Sequence, residues 1–225
     1  MNNEIKLKNI RIVLFFKNEI DYNTLKLASD ISEKLPQLGQ PNIFNLPNDI
    51  PNEIRVKTPK ILFSNEKELN ATISILNASL NIIGESTSTE LKSLIDCLYD
   101  ALTSQNIQIK SVGIVSEYIC FDINFEIIKS KYYNGELCNS ELVNSSWYNK
   151  ENNLNIWKFL NVHEENNKKI LNIKCDINNR GNEEKLDKTD INFIIDKAKD
   201  ISQEFKEKLK GELEEKNDSN NYKSN

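Results

Sequence analysis

Residues 154–165 and 168–177 alternate apolar and polar side chains on either side of Asn166-Asn167, and this pattern constrains the fold more than any other part of the chain. A two-residue turn at the asparagines, which tolerate the positive φ that such turns need, pairs Glu165 with Lys168. In that register Ile156, Leu160 and Val162 share a face with Leu171, Ile173, Cys175 and Ile177. A slip of one residue would move the apolar set to opposite faces, so the agreement supports the register. The other face then carries Trp157, Phe159, Asn161 and His163 opposite Asp176, Lys174, Asn172 and Ile170. Aromatics in that position either pack beneath a helix or form a binding surface, and both readings are open at this point.

The remaining periodicities alternate between strand and helix. The apolar run Ile10–Phe16, broken only by Arg11, predicts a strand buried on both faces. Asp21 is a candidate N-cap, Ile20 a staple onto Leu25, and Leu25, Ala28, Ile31 and Leu35 a helical stripe closed by Pro36 and Gly39. Gln40–Pro51, with three prolines, reads as an extended loop, and Ile54, Val56 and Thr58 alternate as a strand up to Pro59. Ile61 and Phe63 continue it, and after a turn near Asn65 the alternations at Leu69–Ile75 and Leu80–Ile82 give a further pair of strands. Thr87 and Glu90 form a capping box ahead of the stripe Leu91, Leu94, Ile95, Leu98 and Leu102. Lys110–Phe121 reads as a strand in which Gly113 permits close approach, and 122–151 fits a helix over 124–132 or a loop. Thr189 or Asp190 caps a last helix with the stripe Ile191, Ile194, Ile195, Ala198, Ile201, Phe205 and Leu209, and Gly211 is its expected terminator.

This order predicts an α+β fold, a mainly antiparallel sheet with three or four helices. The expected units are an N-terminal half over 1–105, a similar C-terminal half over 106–211 packed on it, and a disordered polar tail over 212–225. Duplication and coincidence both account for the echo between the halves, because no sequence repeat accompanies it.

Composition narrows the function classes. The 225 residues carry a net charge of −5, and the three arginines, Arg11, Arg55 and Arg180, lie far apart, an unpromising supply of cations for nucleic acid. No apolar run is long enough to span a bilayer, and no signal peptide is legible at Met1–Lys6, so a cytoplasmic location is expected. Cys97, Cys120, Cys138 and Cys175 are scattered without a C-x-x-C pair and read as reduced thiols, with Cys97 and Cys120 assigned to the core and Cys138 to neither class. Abundant Asn, Lys, Ile and Glu with few Gly, Pro and Ala is what AT-rich coding produces, which points to a low-GC bacterium or one of its mobile elements.

The inventory of catalytic motifs is empty: no P-loop, G-x-G-x-x-G, G-x-S-x-G or H-E-x-x-H is present. His163, the single histidine, stands beside Glu164 and Glu165 but is tied to no nucleophile, and Cys175 points to the opposite face. Asp96 and Asp100 lie one helical turn apart, a spacing shared by metal ligands and by solvated helix faces; without further ligands the solvated face is the better reading. No catalytic residue, metal ligand or cofactor is therefore assigned.

Three segments resemble a family of uncharacterised, sporadically distributed bacterial proteins of about this length: Lys8–Phe16, Val112–Ile119 and Ala198–Phe205. The middle segment lacks the two arginines that the family writes there, and Lys199 stands where the family often has histidine. The resemblance implies no activity. Its scattered distribution implies horizontal transfer and a role in phage–host or mobile-element conflict.

Together these features favour a non-enzymatic protein that binds or inhibits another protein, with Trp157, Phe159 and His163 as the candidate surface. A hydrolase or transferase using His163 with a nearby acid is the alternative, as is a small-molecule or nucleotide sensor.

Overall fold

The structure is a computed structural model that describes residues 4–19, 22–47, 49–56, 58–65, 68–84, 87–121, 123, 128, 132, 143–165, 168–181 and 184–221. Chain order is β1 (Lys6–Phe16), α1 (Thr24–Lys34), a 3-10 turn (Pro36–Leu38), β2 (Pro41–Ile43), α2 (Asn52–Arg55), β3 (Ile61–Asn65), β4 (Leu69–Ile73) and β5 (Asn77–Ile83). It continues with α3 (Ser88–Thr103), β6 (Ile109–Phe121), β7 (Val143–Glu151), β8 (Leu154–Glu165), β9 (Lys168–Asn178) and α4 (Lys188–Asn221). The strands form one nine-stranded antiparallel sheet in the order β2-β3-β4-β5-β1-β6-β9-β8-β7.

The two halves follow one path. In each, the first strand lies beside the last, and the intervening strands step outward, giving β3-β4-β5-β1 and then β6-β9-β8-β7. The halves join where β1 pairs with β6, Ile12 opposite Ile114, so a single sheet runs through both.

Alternation explains which face is covered. Ile10, Ile12, Leu14 and Phe16 of β1 are at most 3% exposed and share a core with Ile114, Leu160, Ile173 and the apolar stripes of α1, α3 and α4. Arg11, Val13, Phe15, Val115, Trp157 and Phe159, on the alternate positions, lie outside that core. The expectation of a β1 strand buried on both faces is thereby corrected: its second face is the open face of the sheet.

The β8–β9 hairpin has the expected register, with Glu165 opposite Lys168 and Ile156 opposite Ile177. The capping box of α3 also forms, Glu90 N–H donating to Thr87 Oγ1 at 3.2 Å and Thr87 N–H to Glu90 Oε2 at 2.8 Å.

Several boundaries differ from expectation. Helix α1 is capped by Asn23, whose Oδ1 accepts from Lys26 N–H; starting there turns Leu25 outward, 72% exposed, and buries Leu27 in its place. The proposed cap Asp21 and staple Ile20 lie outside the described residues. Ile54-Val56-Thr58 is not a strand, because Pro51 and Pro59 bracket a short helix, α2. Pro41–Ile43, within the expected loop, pairs as the edge strand β2. Helix α4 is capped by Asp187, which exchanges hydrogen bonds with Asp190 in a reciprocal box. It continues through Gly211 to Asn221, so 212–221 is helical rather than a disordered tail, and Leu213 extends the buried stripe. The helix expected over 124–132 lies almost entirely outside the described residues; of that stretch Ile128 is buried and Tyr132 donates to Glu212 of α4.

Among the described residues no helix is long and apolar enough to cross a membrane.

Candidate functional site

The open face of the C-terminal strands collects the side chains that the core does not use. Cross-strand pairing lays them out in two adjacent rows. One runs Arg11, Val115, Asp176, Trp157 and Tyr148 across β1, β6, β9, β8 and β7. The next runs Asn9, Glu117, Lys174, Phe159 and Ser146.

Trp157 and Phe159 are two residues apart on one strand, so the pleat points both to this face. Their rings stack at 6.3 Å between centroids and 15° between planes. Tyr148, directly opposite Trp157, brings its ring to 4.7 Å from the indole. Trp157 is 39% exposed and Tyr148 51%. Trp147, the preceding residue, points the other way and packs edge-on against Tyr132 and Phe205. Hence the Trp147-Tyr148 pair divides between the two faces.

Polar contacts hold the aromatic row in place. Tyr148 Oη donates to Asn155 Oδ1 at 2.9 Å, Asn155 Nδ2 donates to Asn178 Oδ1 at 3.3 Å, and Asn178 Nδ2 donates to Asp176 at 3.1 Å. Lys174 Nζ stands 5.3 Å over the Phe159 ring, within cation–π range. A hollow of about 510 Å³ lies beside Phe159, lined also by Lys8, Glu117, Asn161, Asn172 and Lys174.

Trp157 and Phe159 are thus brought together, Trp157 exposed and Phe159 half-buried. His163 lies on the same face nearer the turn, with Nδ1 accepting from Asn172 Nδ2 at 3.1 Å, and no nucleophile or acid among the described residues is bonded to it. In the sequence Tyr148 stands out only as part of the aromatic pair Trp147-Tyr148 and is not assigned to the surface, since its place beside Trp157 depends on β7, a strand with no clean alternation to announce it.

The other chemical candidates resolve into structure. Asp96 and Asp100 lie on the polar, partly solvated flank of α3 as rungs of a ladder between α3 and α4: Lys92 to Asp196 at 2.6 Å, Asn192 to Asp96 at 3.0 Å and Lys188 to Asp100 at 2.7 Å. The hydrogen bond to Asp100 raises the Lys188 pKa. Cys120 and Cys175 are fully buried, Cys97 partly so, and Cys138 lies outside the described residues. Burial pushes the Cys175 thiol up to about 11 and the Tyr118 phenol up to about 12, so neither is an activated nucleophile. Among the described residues, no three His, Cys, Asp or Glu side chains converge as metal ligands do.

No protein-family model matches the chain, and no curated protein matches it.

Proposed function

We propose that this chain is a non-enzymatic binding protein that holds another protein against the open face of its sheet, with Trp157 at the centre of the contact. The observation that carries the reading is the aromatic run Tyr148–Trp157–Phe159 on the face outside the core, with Trp157 and Phe159 stacked, Tyr148 held by Asn155, Tyr148 and Trp157 exposed and Phe159 half-buried. Aromatic side chains held rigid before binding bury much area at low entropic cost, which is why they dominate protein interfaces. Around them Arg11 and Lys174 alternate with Asp176 and Glu117 in neighbouring rows. Interleaved charge of both signs suits a protein surface and opposes a polyanion. On the same proposal the setting is the cytoplasm, and the role one in conflict between a mobile element and its host.

Truncating an anchor of this kind costs about 2 kcal/mol or more, so Trp157→Ser should weaken partner capture roughly thirty-fold with the fold intact. Phe193→Ser, on the exposed flank of α4, should leave it unchanged. Equal recovery of the same partner by wild type and both variants would refute the reading. A small-molecule sensor is the second reading, favoured by the hollow beside Phe159. A thermal-shift screen with nucleotides tests it, where a response abolished by Phe159→Ser would move the function there. Catalysis through His163 predicts that His163→Ala abolishes the biological effect, whereas the binding reading predicts that the effect persists.

A further inference from the structure

The two rows of side chains on the open face are complementary to themselves. The first extends by one strand, because Asn81 of β5 lies opposite Arg11. Reversed about the line between β6 and β9, that row sets Arg11 on Trp157, Asn81 on Tyr148 and Val115 on Asp176. The same reversal of the second row sets Glu117 on Lys174 and Asn9 on Phe159. A two-fold axis along that line, parallel to the strands, performs the reversal when two copies of the chain meet face to face. Such an axis suits sheet-on-sheet packing, which keeps the strand directions of the two sheets within about 30° of each other.

The charges decide which axis fits. Arg11, Glu117, Lys174 and Asp176 lie on these rows, and among the described residues none of them forms a salt bridge. Glu117 and Lys174 are half-buried and opposite each other in the chain, but Lys174 Nζ stands over the Phe159 ring instead. Asp176 accepts from Asn178 Nδ2, a neutral donor. Across the axis each Glu117 meets the partner's Lys174, which makes two ion pairs. Each Arg11 meets the face of the partner's Trp157, with the partner's Asp176 on the next strand as a counter-ion. An axis along β6 would set Glu117 on its own copy, and one along β9 would set Lys174 on Lys174 and Asp176 on Asp176. Like charges set opposite each other oppose assembly. Six strands about 4.8 Å apart, each about nine residues long at roughly 3.3 Å per residue, present roughly 850 Å². That matches the ~800 Å² per partner of a stable interface.

We propose that two copies of this chain pack open face to open face about a two-fold axis between β6 and β9, closing two sheets into a sandwich. The inference rests on the reading of that face as a protein-binding surface and names its occupant while no other protein is bound. Trp157 then lies beneath the partner's Arg11, and a heterologous protein gains the face by displacing the second copy. Mass action makes that exchange depend on the concentration of the chain itself.

Sedimentation equilibrium of the full chain tests it. Twice the 26.0 kDa monomer mass is expected, with a dissociation constant on the order of 10 µM. Glu117→Lys and Lys174→Glu each place two like-charge pairs in the interface and should weaken self-association at least about a hundredfold. Mixing the two variants should restore the dimer, since each chain then supplies the charges that the other lacks at both pairs. An effect confined to one chain cannot be repaired by mixing. A mixture that stays monomeric while both variants keep the wild-type circular dichroism would therefore overturn the proposal, as would a wild type that is monomeric up to about 500 µM. Capture of a heterologous protein through Trp157 is measured separately. A monomeric chain that still captures it sinks the dimer and leaves the binding face standing, whereas a dimer that mixing restores, with nothing captured, upholds the dimer and sinks the heterologous partner.

Discussion

Tyr118 and Cys175 are neighbours on the covered face of β6 and β9, and both are held in their neutral forms by burial. Burial raises the Cys175 thiol from 9.0 to about 11 and the Tyr118 phenol from 10.0 to about 12, with the thiolate a further influence on the phenol. Folded pKa values above the unfolded ones mean that the native state retains protons which the unfolded chain releases. The associated stability is fully present below pH 9.0, where neither group ionises in either state, and is lost as pH rises through about 11 and 12. Urea midpoints should therefore hold steady from pH ~7 to ~9 and fall beyond it, and Cys175→Ser should shallow the fall. A midpoint that rises above pH 9 would show that these groups are not buried as described. At this scale the sequence was informative where a position alternates inward: Cys175 was placed in the core and Trp157 and Phe159 on the opposite face from the hairpin register alone. It was silent on the face that Tyr148 takes, because Val143-Asn-Ser-Ser-Trp-Tyr-Asn carries no apolar alternation to set its phase.

Helices α3 and α4 run antiparallel, and their polar flanks meet in a ladder whose rungs step by four residues on each helix, from Lys92–Asp196 through Asp96–Asn192 to Asp100–Lys188. One rung per turn keeps the two helices in register while their apolar stripes face the sheet. The end pairs remain substantially exposed, so each contributes little alone. Asp100→Asn should cost less than about 1 kcal/mol, and the cost should shrink further above ~0.5 M salt. A loss of several kcal/mol, insensitive to salt, would contradict a surface ladder and imply a buried charge. Helix spacing made Asp96 and Asp100 visible in the sequence, but their partners lie about a hundred residues away, beyond the reach of local pattern. Boundaries failed for a related reason. Leu25 fits a helical stripe equally well if capping begins at Asp21; Asn23 fixes the phase two residues later. Likewise, Gly211 suits a helix end, yet buried Leu213 carries α4 past it.

At the scale of the whole molecule, the described helices pack on one side of the sheet, and the aromatic row falls on the other. That the halves share a path was readable as an echo of strand and helix order. That β1 and β6 would pair and fuse them into one sheet was not, because pairing between central strands is set by long-range packing rather than by either strand's composition. Nor did the sequence decide whether Trp157 and Phe159 lie beneath a helix: the hairpin fixes their face, and among the described residues α1, α3 and α4 all pack on the other one. The whole functional reading rests on that placement. A photo-reactive amino acid at position 157 should crosslink to a second protein in native cells, while the same group at position 193, exposed on α4, should yield no such adduct. Adducts at 193 and none at 157 would place the working surface on the helical side and contradict the assignment of the open sheet face.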